Sequence, residues 1–72
     1  MNSILGEEES ERYRQRLAAL RLEHRDLDQV ITHLVAHLPA DRLLIPRLKK
    51  RRLQLRDQIE KIEMLLAPDE SA

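Results

Sequence analysis

The strongest constraint on this chain is a regular spacing of apolar residues that runs through two segments. Within each segment, successive members are separated by alternating steps of three and four residues. This spacing places the side chains on one narrow stripe of an α-helix, as at the seam of a coiled coil. The predicted seam positions are Tyr13, Leu17, Leu20, His24, Leu27, Ile31, Leu34 and Leu38 in the first segment, and Ile45, Leu48, Arg52, Leu55, Ile59, Ile62 and Leu66 in the second.

The composition favours helices over a sheet. Charged residues make up 36% of the 72 residues and aromatic residues only 1%, with a single glycine and no cysteine. Long-helix proteins have this balance, whereas strands need runs of β-branched and aromatic residues that are absent here. The sequence therefore predicts an all-α fold, a two-helix antiparallel coiled-coil hairpin in one small domain.

The ends of the two helices can be placed approximately from local signals. Three glutamates at 7–9 suit a helix start, because carboxylates complement the positive end of the helix dipole, although Ser10 could cap the helix instead. Pro39 ends the first helix, since proline disfavours helical structure at the preceding residue. The prediction is a helix over about 8–38, a link over 39–41, a helix over about 42–66 and a tail over 67–72.

Pro46 leaves two possible starts for the second helix. Asp41 is a good N-cap, which favours a start near Arg42 and places Pro46 at the edge of the first turn. A start at Pro46 itself would put the proline at the first helical position, where it is well tolerated. The earlier start is the favoured prediction.

A lone hairpin of this size has a thin core, so we expect it to self-associate. Several apolar residues lie off the seam, and some of them flank it, which widens the apolar stripe. The expected assembly is a homodimer or higher homo-oligomer, with two hairpins forming a four-helix bundle. These residues are Val30, Val35, Leu44, Leu53, Met64 and Leu65.

Two polar residues interrupt the seam. His24 could make the hairpin sensitive to pH, but the favoured interpretation is a polar seam residue that fixes the register of the helices. Arg52 could pair with Asp28 or Asp26, as could Arg51, because these residues return beside each other across the link. The equally weighted alternative is that the aliphatic stem of Arg52 packs while its charged end reaches solvent.

A basic run in the second helix raises the possibility of an anionic partner. It contains no acid between Arg42 and Arg56, and it includes Arg47, Lys49, Lys50, Arg51 and Arg52. The run could bind phosphates of RNA or DNA, or more weakly those of lipid head groups. The basic residues spread around the helix and no aromatic residue is available for base stacking, so a solvated surface is the favoured interpretation.

The sequence predicts no catalytic residue, cofactor or metal. His33 and His37 share a helix face at a spacing that can ligate zinc, but no third ligand is evident. No glycine-rich phosphate loop or nucleophile–base pair is present, and a hairpin gives little room for a catalytic pocket. The N-terminus lacks a signal peptide pattern and no apolar stretch could span a bilayer, so we expect a cytoplasmic protein that is not an enzyme.

Two stretches of the sequence resemble the YdcH-like family of small bacterial proteins, a domain of unknown function. The first is the Glu-His-x-x-Leu-Asp stretch at 23–28, and the second is the Leu-Lys-Lys stretch at 48–50 that continues to Asp57. The resemblance covers Leu20 to Leu66, with Pro46 as a departure from the family pattern. It implies a helical hairpin of bacterial, cytoplasmic origin and supplies no activity. The functional expectation is therefore a self-associating helical protein that presents a surface to an unknown protein partner.

Overall fold

The computed structural model describes residues 6–37 and 43–66, which form two α-helices. Helix α1 spans Glu7–His37 and helix α2 spans Leu44–Leu66, and the two pack against each other with no strand in the described residues. The predicted all-α hairpin is confirmed. The predicted link at 39–41, the seam position Leu38, the cap at Asp41 and the tail at 67–72 lie outside the described residues.

The start of α1 follows from its first turn. The carbonyl of Gly6 accepts a hydrogen bond from the backbone N–H of Ser10 at 2.9 Å, which places Gly6 at the N-cap. Glu7, Glu8 and Glu9 occupy the first turn, where their charges complement the helix dipole. Ser10 is therefore not the cap but a buried residue inside the helix.

Pro46 lies in the first turn of α2, at a position that its chemistry tolerates. Leu43 forms a turn before the helix, and its carbonyl accepts the N–H of Arg47 at 3.4 Å. The residues between them, including Pro46, belong to the first turn, whose N–H groups have no acceptor within the helix. The missing donor of Pro46 therefore costs no helical hydrogen bond. The described α-helix begins at Leu44, before Pro46, and the favoured start near Arg42 lies outside the described residues.

The core lies along the predicted seam. Leu17 and Leu20 of α1 form a buried cluster with Leu55 and Ile62 of α2, and further seam residues pack against it. Every described seam residue is buried or half-buried, including the polar residues His24 and Arg52. The residues that pack around the buried cluster are Tyr13, Leu27, Ile59 and Leu66.

Ion pairs between the helices establish that they run antiparallel. Arg21 of α1 contacts Glu63 near the end of α2 at 2.6 Å, whereas Asp28 contacts Arg52 at 2.5 Å, earlier in α2. From the first of these two pairs to the second, the residue number rises along α1 and falls along α2. The N-terminal part of α1 and the C-terminal part of α2 therefore share one end of the hairpin.

Candidate interaction surfaces

Glu23 and Arg51 mark one broad face of the hairpin, beside the seam. Their side chains meet across the two helices at 3.2 Å. Residues seven positions apart lie on the same side of a coiled-coil helix, so Val30 shares this face with Glu23, as do Arg16 and His37. By the same spacing, Leu44, Gln58 and Leu65 share it with Arg51. We call this surface the apolar face.

The aliphatic side chains of the apolar face are only partly covered. Val30 is 47% exposed, Leu44 is 40% exposed and Leu65 is 37% exposed. Gln58, between Leu44 and Leu65 in the sequence, is half-buried. These three aliphatic side chains are spread along the face, and a partner that covered them would remove their exposed apolar area from water.

The opposite broad face is mostly charged. It carries the Arg21–Glu63 and Asp28–Arg52 ion pairs, and Val35 shares it because Val35 lies seven residues after Asp28. We call this surface the charged face. The structure thus separates Val35 from Val30, although the sequence placed both in a single apolar set.

A groove of about 650 Å³ runs along the charged face between the helices. His24, which is half-buried, and Leu53 contribute to its wall. Three basic and three acidic side chains line the groove, so its net charge favours neither an anion nor a cation. The charged lining residues are Lys49, Arg52 and Arg56 together with Asp28, Glu60 and Glu63.

Half of the basic run is neutralised by acids of the hairpin itself. Arg51 pairs with Glu23, Arg52 with Asp28, and Arg56 with Glu60 at 3.3 Å. The pairing of Arg52 with Asp28 was one of the alternatives read from the sequence, whereas Arg51 pairs with a glutamate that the sequence reading did not consider.

The other half of the run faces solvent without a nearby acid. Within residues 6–37 and 43–66, no carboxylate lies within 4.0 Å of Arg47, Lys49 or Lys50. All three side chains are exposed. They lie within the first two turns of α2, toward the end of the hairpin where the helices are linked, and we call these three side chains the cationic patch.

His33 and His37 stack on the last turns of α1. Their ring centroids are 4.4 Å apart, and Nδ1 of His37 lies 3.1 Å from the backbone carbonyl oxygen of His33. When Nδ1 carries the proton, it donates a hydrogen bond to this carbonyl, and it is then not available as a metal ligand. In the part of the chain that the structure describes, no group of three or more possible ligands surrounds the pair.

The comparison with known families gives one result. The profile of a family described as "Protein of unknown function (DUF465)" matches residues 17–63. The chain belongs to this family. The YdcH-like proteins are a DUF465 family, so the resemblance read from the two sequence stretches is confirmed. No curated protein and no solved structure matches the chain.

The DUF465 match covers all of the buried cluster and most of both faces. Residues 17–63 include the four interior residues, the Glu23–Arg51 pair and the cationic patch. The family description states no activity. Neither α1 nor α2 contains an apolar stretch long enough to cross a membrane.

Proposed function

We propose that this chain is a non-enzymatic, cytoplasmic bacterial protein that self-associates through its apolar face and presents its remaining helical surface to another protein. The observation that carries this proposal is the placement of Val30, Leu44 and Leu65 on one broad face beside the core. A second hairpin on that face would complete a four-helix bundle, the arrangement in which two-helix layers bury such residues.

The size of the core supports this proposal. In the described residues, the main hydrophobic cluster contains four buried side chains and four partly buried ones. Complete burial of a large aliphatic side chain contributes about 1.5–3 kcal/mol, and small domains with few such residues are usually stabilised by a metal, disulfides or association. Because the chain has no cysteine, it cannot form disulfides, and its exposed apolar side chains favour association as the source of added stability.

Two matched valine substitutions on α1 test this proposal. Val30→Lys places a charge on the apolar face, whereas Val35→Lys places the same charge on the charged face, where Val35 is also exposed. We expect Val30→Lys to weaken the dimer at least tenfold, about 1.4 kcal/mol, because the lysine must be desolvated in the interface. Val35→Lys should leave the dimer dissociation constant within about twofold, which is under 0.5 kcal/mol.

The measurement is sedimentation equilibrium over a range of concentrations, with circular dichroism to establish that both variants stay helical. Equal dissociation constants for the two variants would show that the apolar face is not the interface. A folded Val30→Lys protein that is mostly monomeric, beside a dimeric Val35→Lys protein, is the result that we expect.

A second candidate function is binding of RNA or DNA through the basic run at 47–56. It is favoured by the absence of nearby acids around Arg47, Lys49 and Lys50 in the described residues. Electrostatic binding to phosphates weakens steeply as salt rises, so the test is titration of single- and double-stranded oligonucleotides at low and moderate salt.

The charge-reversed variant Lys49→Glu/Lys50→Glu is the control for this titration. Under the main proposal we expect no binding even at low salt. Salt-sensitive binding that the charge-reversed variant loses would favour the nucleic-acid function over presentation of the surface to a protein partner.

A further inference from the structure

The hairpin is electrically polarised along its long axis. At the linked end, α1 carries no charged residue from Gln29 to His37 when its histidines are neutral, and α2 carries five cations and no acid from Leu44 to Arg52. Two of the five, Arg51 and Arg52, pair with Glu23 and Asp28 of α1, so the excess positive charge comes from Arg47, Lys49 and Lys50. At the open end, residues 7–16 of α1 and 57–66 of α2 contain seven acids and four bases. The linked end is therefore positive and the open end is negative.

This polarity determines how two copies can stack. Stacking with both linked ends together would place two cationic ends within about one Debye length, 8–10 Å at ordinary ionic strength. The opposite orientation places the positive end of each hairpin over the negative end of the other. Charge complementarity of this kind fixes orientation and suppresses the wrong arrangement.

The apolar faces of two copies are also complementary when the hairpins stack in this antiparallel orientation. Leu44 and Leu65 lie at opposite ends of α2, and the midpoint between them is also the midpoint between Arg51 and Gln58. A two-fold axis over this midpoint, near Leu55, sets Leu44 of one copy over Leu65 of the other, and Arg51 over Gln58. Each pairing occurs twice, as an isologous interface requires.

We propose, building on the self-association proposed above, that the partner on the apolar face is a second copy of this chain in antiparallel orientation, with α2 lying over α2. The hairpin extends 53 Å by 21 Å, so its broad face has room for the roughly 800 Å² per partner of a standard interface. Apolar residues meet at both ends of the paired α2 helices, and polar residues meet beside the axis.

Disulfide cross-linking tests the orientation cleanly because the chain contains no cysteine. Leu44→Cys and Leu65→Cys are prepared separately, mixed and oxidised, and the products are separated by mass. We expect a mixed disulfide between the two variants and little product from either variant alone. In the antiparallel dimer, two copies of position 44 lie about 30 Å apart, given a rise of 1.5 Å per residue.

A second pair of cysteine variants replaces polar residues, so it tests the orientation without removing leucine side chains from the interface. Arg51→Cys mixed with Gln58→Cys should also form a mixed disulfide, and Leu53→Cys mixed with Leu65→Cys is the control, since Leu53 lies off the apolar face. Efficient self-cross-linking of Leu44→Cys alone, or a dimeric protein in which neither mixed pair cross-links, would overturn the antiparallel arrangement. A monomeric wild-type chain would instead overturn the self-association on which it rests.

Discussion

Replacing Leu55 with alanine is expected to lower the free energy of unfolding by about 2–5 kcal/mol, because a buried side chain is removed and a cavity remains. Leu55 is 0% exposed and belongs to the buried cluster that joins the two helices. The free energy of unfolding of a domain of this size is small, so the loss should leave much of the Leu55→Ala protein unfolded at room temperature.

Leu53→Ala is the matched control for Leu55→Ala. It is the same change two residues earlier in the same helix, at a side chain that is 66% exposed. Its effect on the free energy of unfolding should be within about 0.5 kcal/mol, as is usual for surface positions. Urea unfolding followed by circular dichroism measures both variants at one protein concentration. Similar losses for Leu53→Ala and Leu55→Ala would contradict the described core.

Gln54→Pro is expected to destabilise the hairpin by about 3 kcal/mol or more. Gln54 is exposed in the interior of α2, so the change removes no core contact. The loss would come from the backbone, because proline cannot donate to the preceding turn and its ring crowds that turn's carbonyl. Loss of helix content in the circular dichroism spectrum, with a lower unfolding midpoint, is the expected result.

Pro46→Ala tests whether a proline in the first turn of α2 is tolerated without loss of stability. Because the position of Pro46 needs no backbone donor, the substitution should change the free energy of unfolding by less than about 1 kcal/mol. A large gain in stability from Pro46→Ala would show that the proline strains the helix, and would contradict the tolerated position described above.

The sequence predicted the core well because seam spacing is a local property of each helix. The alternating steps from Tyr13 to Leu34 and from Ile45 to Leu66 identify residues that are all buried or half-buried. One further step before Tyr13 reaches Ser10, which is also buried, so the same rhythm could have found it. Its residue type conceals this position, because serine near the start of a helix is typical of an N-cap.

The surfaces could be predicted only in part, because they depend on how one helix is placed against the other. The sequence reading placed Val30, Val35 and Leu65 in one set, whereas the structure puts Val35 on the opposite face. To assign each valine to a face, one must know how the two helices are placed, and the Glu23–Arg51 and Asp28–Arg52 ion pairs mark the two faces. Gln58 was missed because its half-burial follows from that register and not from its residue type.

Self-association of the hairpin is tested most directly by the mass of the wild-type chain in solution. Light scattering or sedimentation at micromolar concentration should give about twice the 8.5 kDa of one chain, falling toward one chain on dilution. A mass of 8.5 kDa throughout this concentration range would contradict the account.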